Sequence, residues 1–169
     1  MIQIRSEVPS DHDRVHEIHR AAFGRSNEAE LVSELRSCSS PQISLVAEAD
    51  GEVVGHIFFS PVAVDSQSAA AVAAGLAPVS VVPAAQGQGV GSALIRAGLA
   101  RCPTVGWRAV FVLGDPSYYS RFGFVLAAPL GFRYESEAFD AAFQVLELEE
   151  GVLSGCRGRV RYHPAFGEV

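Results

Sequence analysis

The sequence predicts an α/β fold in a single domain, residues 1–169, whose mixed central sheet of about six to seven strands is flanked by helices. A length of 169 residues and a hydrophobic content of 49% suit one buried core and leave little chain for a second. A strand, a glycine-rich turn, a helix and an apolar strand follow one another between residues 77 and 113, which indicates a βαβ unit with parallel strands. An antiparallel hairpin before this unit makes the predicted sheet mixed.

The N-terminal part of the chain is predicted as a strand, two helices and a hairpin. Ile2 and Ile4 begin the strand, and Ser10-Asp11-His12-Asp13 starts the first helix with acidic groups near the positive end of its dipole. One face of that helix is formed by residues that recur at helical spacing, namely Val15, Ile18, His19, Ala22 and Phe23. The next elements are a helix at about 27–36 and strands at 44–49 and 53–64, joined by a turn at Asp50-Gly51.

The remaining elements are mostly strands. They are predicted as a strand at 77–82, a helix at 91–101, a buried strand at 109–113 and two late strands around 143–148 and 158–162. The helix carries one apolar stripe, formed by Val90, Ala93, Leu94, Ala97 and Ala100.

Composition and charge exclude several classes of partner. The net charge is −6 and the 13 basic residues are not clustered, so neither nucleic acid nor a membrane is expected as a partner. The 3 cysteines are far apart, and the N-terminus does not resemble a signal peptide, which predicts a cytoplasmic protein with reduced thiols. His12 and His16 lie one turn apart with His19 nearby, but the spacing is not a metal-binding pattern, so we expect surface histidines and no metal.

The segment Gln86-Gly87-Gln88-Gly89-Val90-Gly91-Ser92 lies between a predicted strand and a predicted helix. The N–H groups of a first helical turn have no intrahelical acceptor, and the helix dipole favours an anion there. A tight turn without a ligand is the alternative. The chain contains no lysine for a Walker loop, and Ser92 stands where a dinucleotide fingerprint requires glycine. The segment therefore predicts a phosphate-binding loop of another kind.

This segment resembles the pyrophosphate loop of the GNAT superfamily of N-acetyltransferases, which follows the pattern Gln/Arg-x-x-Gly-x-Gly/Ala. Gln86, Gly89 and Gly91 match that pattern. Tyr119-Ser120-Arg121-Phe122-Gly123-Phe124 resembles the family's Tyr-x-x-x-Gly-Phe segment, although Gly114-Asp115-Pro116-Ser117 replaces the Asn-x-x-Ala that often precedes it. The motif Gly-Asp-Pro-x-Tyr-Tyr-x-Arg-Phe-Gly-Phe is similar to that of a bacterial subgroup of acetyltransferases. The resemblance implies the GNAT fold over essentially the whole chain.

The resemblance also implies a cofactor, acetyl-coenzyme A, and a role for particular residues. The implied cofactor-binding residues are Val81, Val82, Gln86, Gly87, Gln88, Gly89, Val90, Gly91, Ser92 and Tyr119. The backbone of Val81 or Val82 would pair with the pantetheine arm, and the N–H of Val82 would polarise the thioester carbonyl. Tyr119 would protonate the departing sulfur as a general acid. The alternative for Tyr119 is an aromatic residue that only packs under the cofactor.

The general base is not evident from the sequence. No carboxylate occurs in 79–82, so the candidates are His56, Glu28, Glu30 and Glu48. His56 lies in a central strand and could reach the acceptor directly or through water, but a lone histidine in a strand is more often a structural residue. Glu28 and Glu30 lie where the family's acceptor site is usually walled, or on a solvated helix face.

The leading functional hypothesis is therefore an N-acetyltransferase that moves an acetyl group from acetyl-coenzyme A directly to an amine, with a small molecule as acceptor. A coenzyme A-binding sensor or regulatory module without catalysis is one alternative. A protein or peptide N-acetyltransferase is another. The protein is expected as a monomer or homodimer, and the acceptor cannot be identified because it depends on loops between the elements.

Overall fold

The computed structural model describes residues 1–65 and 72–168. The strands of these residues are β1 (Ile2–Ser6), β2 (Ile43–Ala49), β3 (Glu52–Val64), β4 (Ala73–Val81), β5 (Ala109–Leu113), β6 (Val125–Leu126), β7 (Phe132–Tyr134), β8 (Phe143–Glu147) and β9 (Gly158–Arg161). Their α-helices are α1 (His12–Phe23), α2 (Asn27–Cys38), α3 (Val90–Arg101) and α4 (Pro116–Tyr119). Short 3₁₀ turns occur between several of these elements.

Two compact units share the strands β3 and β4. Of the described residues, the first comprises 1–60, 76–101 and 163–168, and the second comprises 61–65, 72–75 and 102–162. The single domain over residues 1–169 stays a prediction.

In the first unit, β1 pairs antiparallel with β2 and β2 antiparallel with β3. β3 is buried on both faces from Val54 to Ser60, because successive side chains point to opposite faces and each face is covered by helix. Gly55 faces α3 so closely that a Cβ there would lie 3.0 Å from the side chains of Val90 and Leu94. The next residue, His56, contacts His19 of α1 on the other face. The central strand of this unit thus has α3 on one face and α1 on the other.

In the second unit, the first residues of β4 pair parallel with β5, and β5 pairs antiparallel with β8, which in turn pairs with β6. β9 lies parallel to β7 and antiparallel to the end of β3. The core of this unit is aromatic: Phe111 stacks on Phe143 with ring centroids 5.5 Å apart and meets Phe132 edge-on at 5.3 Å.

The predicted elements agree with these bounds in type and order, and the mixed α/β fold is confirmed. α2 is longer than expected and ends at Cys38, and β4 begins earlier, at Ala73. The described residues form nine strands rather than six to seven. The unpredicted strands, β6 and β7, have 2 and 3 residues, too few to show an alternating pattern. Among the described residues, no helix combines the length and apolar character needed to cross a bilayer.

Candidate active site

The turn between β4 and α3 is built on glycines in the left-handed region. Gly87 has φ of 73° and Gly89 has φ of 84°, a conformation that other residues adopt only with strain. A Cβ on either would meet no atom within 4 Å, so conformation and not packing requires glycine there. The side chains of Gln86 and Gln88 donate to the carbonyls of Val81 and Ala84, at 2.9 and 3.2 Å. The two glutamines therefore hold the turn against the preceding chain.

α3 begins at Val90, one residue before the expected start. Its first intrahelical bond runs from the N–H of Ala93 to the carbonyl of Gly89, at 3.0 Å. The N–H groups of Val90 and Gly91 precede that bond and belong to the helix turn whose donors have no intrahelical acceptor. Left-handed glycines followed by such a turn form a site for an anionic group, where the helix dipole adds positive potential.

The predicted role of the Val82 N–H is wrong for this structure. That N–H donates to the carbonyl of Val54 in β3, at 2.9 Å, and is committed to the sheet. Because the N–H groups of successive strand residues point to opposite edges, the backbone of Val81 faces away from β3. The described ladder between β4 and β5 joins Ala73–Gly75 to Ala109–Phe111, whereas β4 continues to Val81. The Val81 carbonyl accepts from the Gln86 side chain, so the N–H of Val81 is the backbone group offered beyond this ladder.

Tyr119 is the last residue of the short helix α4, and the residues that precede it serve to start that helix. The Asp115 carboxylate caps α4 by accepting from the N–H and the hydroxyl of Ser117, each at 2.8 Å, and Pro116 occupies the first helical position. A Cβ at Gly114 would lie 2.5 Å from the Tyr119 ring, so glycine is needed for the ring to pack against the backbone. The segment Gly114-Asp115-Pro116-Ser117, which stands in place of Asn-x-x-Ala, thus caps α4 and leaves room for the Tyr119 ring.

The Tyr119 side chain is buried, with 8% exposed, and Phe124 packs edge-on against it at 5.8 Å. Burial, with a smaller effect from Tyr118, raises the pKa of the Tyr119 phenol to about 12. The hydroxyl consequently keeps its proton at neutral pH, as a general acid must. Tyr118 itself is half-buried, and the Arg121 guanidinium lies 4.4 Å from its ring centre.

The carboxylates proposed as bases are engaged in other contacts. Arg25 donates to Glu28 at 2.6 Å, and the Glu28 side chain is only 6% exposed. Glu30 accepts from the hydroxyl of Ser26 at 3.0 Å, and Glu48 accepts from Arg5 at 2.6 Å. A cavity of about 510 Å³ lies next to the turn between α1 and α2, lined by Glu17, Arg20, Ala21, Gly24, Arg25 and Ser26.

His56 is fully buried and is joined to other polar side chains. Its Nδ1 lies 2.8 Å from Nε2 of His19, and its Nε2 lies 2.7 Å from Oγ of Ser44. His19 is equally buried, so its expected surface position is wrong. Its Nδ1 lies 2.6 Å from Oγ of Ser80, and Ser44 donates to Glu7 at 2.7 Å. Sequence reasoning missed Glu7, Ser44 and Ser80.

The pKa of both imidazoles is lowered to about 3, and burial is the largest cause. The His56 imidazole also lowers the pKa of His19, and the Arg36 guanidinium lowers the pKa of both rings. Both rings are therefore neutral above acidic pH. Among the described residues, no three side chains of His, Cys, Asp or Glu form a group that could hold a metal ion.

A strand, a turn of left-handed glycines and a helix whose first N–H groups have no intrahelical acceptor are the features of the class of proteins that use a phosphorylated cofactor. The family model described as the acetyltransferase (GNAT) domain matches residues 3–127. The chain belongs to this family, and the predicted enzyme class, an N-acetyltransferase, is confirmed with it.

The uncharacterized N-acetyltransferase YhbS of Escherichia coli K12 is 40% identical over 164 residues, which cover 96% of this chain and 97% of that protein. A crystal structure of YhbS in complex with CoA superposes with a TM-score of 0.90 at 38% identity, covering 98% of this chain and 92% of the other. A GNAT acetyltransferase of Brucella melitensis in complex with acetyl-CoA has a TM-score of 0.80 and 39% identity, covering 98% of each chain.

Proposed function

We propose that this protein is an acetyl-coenzyme A-dependent N-acetyltransferase that transfers the acetyl group directly to the amine of a small molecule. The observation that carries the proposal is the turn before α3, where Gly87 and Gly89 leave open space beside the backbone. Relatives at 38% and 39% identity are bound to CoA and to acetyl-CoA.

The residues present suit such a cofactor. The pyrophosphate would lie against the segment from Gln86 to Ser92, where the N–H groups of Val90 and Gly91 lead the helix. Glycine at 87 and 89 lets an anion approach the backbone closely. When bound, acetyl-coenzyme A would supply an activated acetyl thioester.

For the pantetheine arm we propose the backbone of Val81 in place of Val82. The Val82 N–H already bonds to Val54, whereas the Val81 N–H points to the opposite edge of β4. An N–H aimed at a carbonyl oxygen stabilises the negative charge that develops there during acyl transfer. Val81 is thus our candidate for polarising the acetyl carbonyl.

Tyr119 is our candidate for the general acid. A phenol holds its proton at neutral pH and can deliver it to a departing thiolate, although the burial that raises the pKa of Tyr119 to about 12 makes it a weaker acid than an ordinary phenol. The proton would leave the phenolic oxygen for the sulfur, and water would restore it afterwards.

A small acceptor is supported by the cavity beside the turn between α1 and α2. Its volume of about 510 Å³ falls in the range of sites for small ligands. Glu17, Arg20 and Arg25 give its wall charges of both signs, which suits a polar acceptor.

Calorimetry with a matched pair of glycine variants tests the cofactor site. Gly89 and Gly51 have nearly equal φ, 84° and 82°, and a Cβ at either position meets no atom within 4 Å. Gly89→Val and Gly51→Val therefore introduce the same backbone strain, but only the first places a side chain where the pyrophosphate is proposed. We expect Gly89→Val to weaken acetyl-coenzyme A binding about tenfold or more and Gly51→Val to leave it unchanged. Equal affinities in the two folded variants would contradict the proposed site.

A further inference from the structure

Five side chains of the first unit form a continuous hydrogen-bonded series, which we call the buried polar path. In order they are Ser80, His19, His56, Ser44 and Glu7. The four distances between neighbouring polar atoms are 2.6, 2.8, 2.7 and 2.7 Å. The path starts in β4, crosses from α1 to the central strand β3 and ends at a carboxylate next to β1.

The path has a direction, set by its last member. A carboxylate only accepts hydrogen bonds, so the Ser44 hydroxyl donates to Glu7 and must in turn accept from Nε2–H of His56. Nδ1 of His56 is then the acceptor for Nε2–H of His19, and Nδ1 of His19 accepts from the Ser80 hydroxyl. Each ring therefore carries one proton, at Nε2, and every donor points toward Glu7.

The surroundings keep both rings neutral. Both imidazoles have no exposed surface, and burial lowers their pKa to about 3. The charged and titratable groups that act on the pair are Glu7, Asp11, His12, His16 and Arg36. Arg36 donates to both oxygens of Glu7, at 2.6 and 3.2 Å, and so fixes the carboxylate at the end of the path.

We propose that the buried polar path removes the proton from the acceptor's ammonium group, with Ser80 as the group that meets the amine and Glu7 as the final holder of the proton. This inference rests on the proposed function. Ser80 immediately precedes Val81, whose backbone is our candidate for holding the acetyl group, so one end of the path lies beside the proposed reaction position.

The transfer balances at every atom. The ammonium proton bonds to Ser80 Oγ as the hydroxyl proton of Ser80 passes to Nδ1 of His19. The Nε2 proton of His19 then passes to Nδ1 of His56, the Nε2 proton of His56 passes to Ser44, and the Ser44 proton passes to Glu7. The amine loses one positive charge and Glu7 loses one negative charge. Reversal after product release returns the proton to water at Ser80 and restores both rings.

His19, His56 and Ser44 act through Ser80 and are positioning residues, so the test must exclude a purely structural role. Ser44→Ala cuts the path between His56 and Glu7, and Glu7→Gln removes the final acceptor. Ser44→Thr keeps the hydroxyl and is the rescue variant. Ser37→Ala is the matched control, because its hydroxyl is exposed and bonds only within α2.

The readout is the pH profile of kcat/KM for the amine. We expect Ser44→Ala and Glu7→Gln to lower kcat/KM for the amine about 10²-fold or more at pH 7. In both variants the acid limb of the profile should shift upward to the pKa of the amine itself. Above that pH the variants should approach the unmodified protein, and KM for acetyl-coenzyme A should not change. Ser44→Thr and Ser37→Ala should keep the original limb. A loss that is equal at all pH values, or no loss, would overturn the proposed path.

Nitrogen NMR of the imidazoles tests the path without activity. At pH 7 both His19 and His56 should carry their proton on Nε2, and Ser44→Ala should abolish that preference at His56. A proton on Nδ1 of either ring, or a charged ring, would overturn the proposal even if the enzyme is active. Failure of the unmodified protein to acetylate any amine would overturn the proposed function instead, and the ring protonation would then decide the direction of the path.

Discussion

The buried polar path and the surroundings of Tyr119 show one physical effect with opposite consequences. In the first unit, burial lowers the pKa of His19 and His56 to about 3, so both rings remain able to accept a proton. In the second unit, burial raises the pKa of Tyr119 to about 12, so the phenol remains able to donate one. Both shifts follow because an apolar environment disfavours whichever form is charged. The difference lies in the neighbours: the histidines are hydrogen-bonded in series, whereas Tyr119 is packed by aromatic rings.

The largest effect is expected from removing the Tyr119 hydroxyl. Tyr119→Phe should lower kcat about 10²–10⁴-fold, the usual contribution of a general acid, while the ring still packs and acetyl-coenzyme A affinity changes little. Because the pKa is about 12, the rate of the unmodified enzyme should show no basic limb from this group below pH 11. Tyr118→Phe, which changes a half-buried neighbour, is the control and should keep kcat. Unchanged turnover in Tyr119→Phe would leave Tyr119 as a packing residue.

His19 and His56 should make the free energy of unfolding depend on pH. Their pKa is about 3 in the folded protein against an ordinary value of 6.5, so between these values the unfolded chain binds more protons. The free energy of unfolding should therefore fall as the pH drops below about 6.5, with a slope of about 1.4 kcal/mol per pH unit for each histidine.

Denaturant titrations between pH 8 and pH 4 measure this slope. His56→Gln should remove about half of it. A slope that is the same in His56→Gln and in the unmodified protein would show that His56 is not held neutral by burial.

A smaller effect is expected where the backbone makes room for Tyr119. Gly114→Ala puts a Cβ 2.5 Å from the ring, which should destabilise the protein by about 1–3 kcal/mol and lower kcat without removing the hydroxyl. Gly167→Ala is the matched control, since a Cβ there meets nothing within 4 Å and the backbone is not left-handed. Thermal unfolding and turnover of the two variants should differ accordingly. Equal melting temperatures would mean that the ring has room to shift.

The sequence predicted the order of elements and the glycine turn because both depend on local pattern: hydrophobic period, helix starts and glycine positions. It did not predict the buried polar path, since its five members come from separate elements that only the fold brings together. One signal was present: Ser44, His56 and Ser80 are polar residues in strands with apolar neighbours. The choice between Val81 and Val82 depends on which edge an amide faces, and that follows from the pairing of β4 with β3.

The central claim is acetyl transfer to an amine, and a mass-balanced assay tests it most directly. The protein is incubated with acetyl-coenzyme A and a panel of small amines, peptides and aminoglycosides, while free thiol and acetylated product are both quantified. We expect thiol release that depends on a small amine and equals the amount of acetylated amine formed. Binding of acetyl-coenzyme A with no thiol release above the background with any member of the panel would contradict the account and indicate a coenzyme A-binding module.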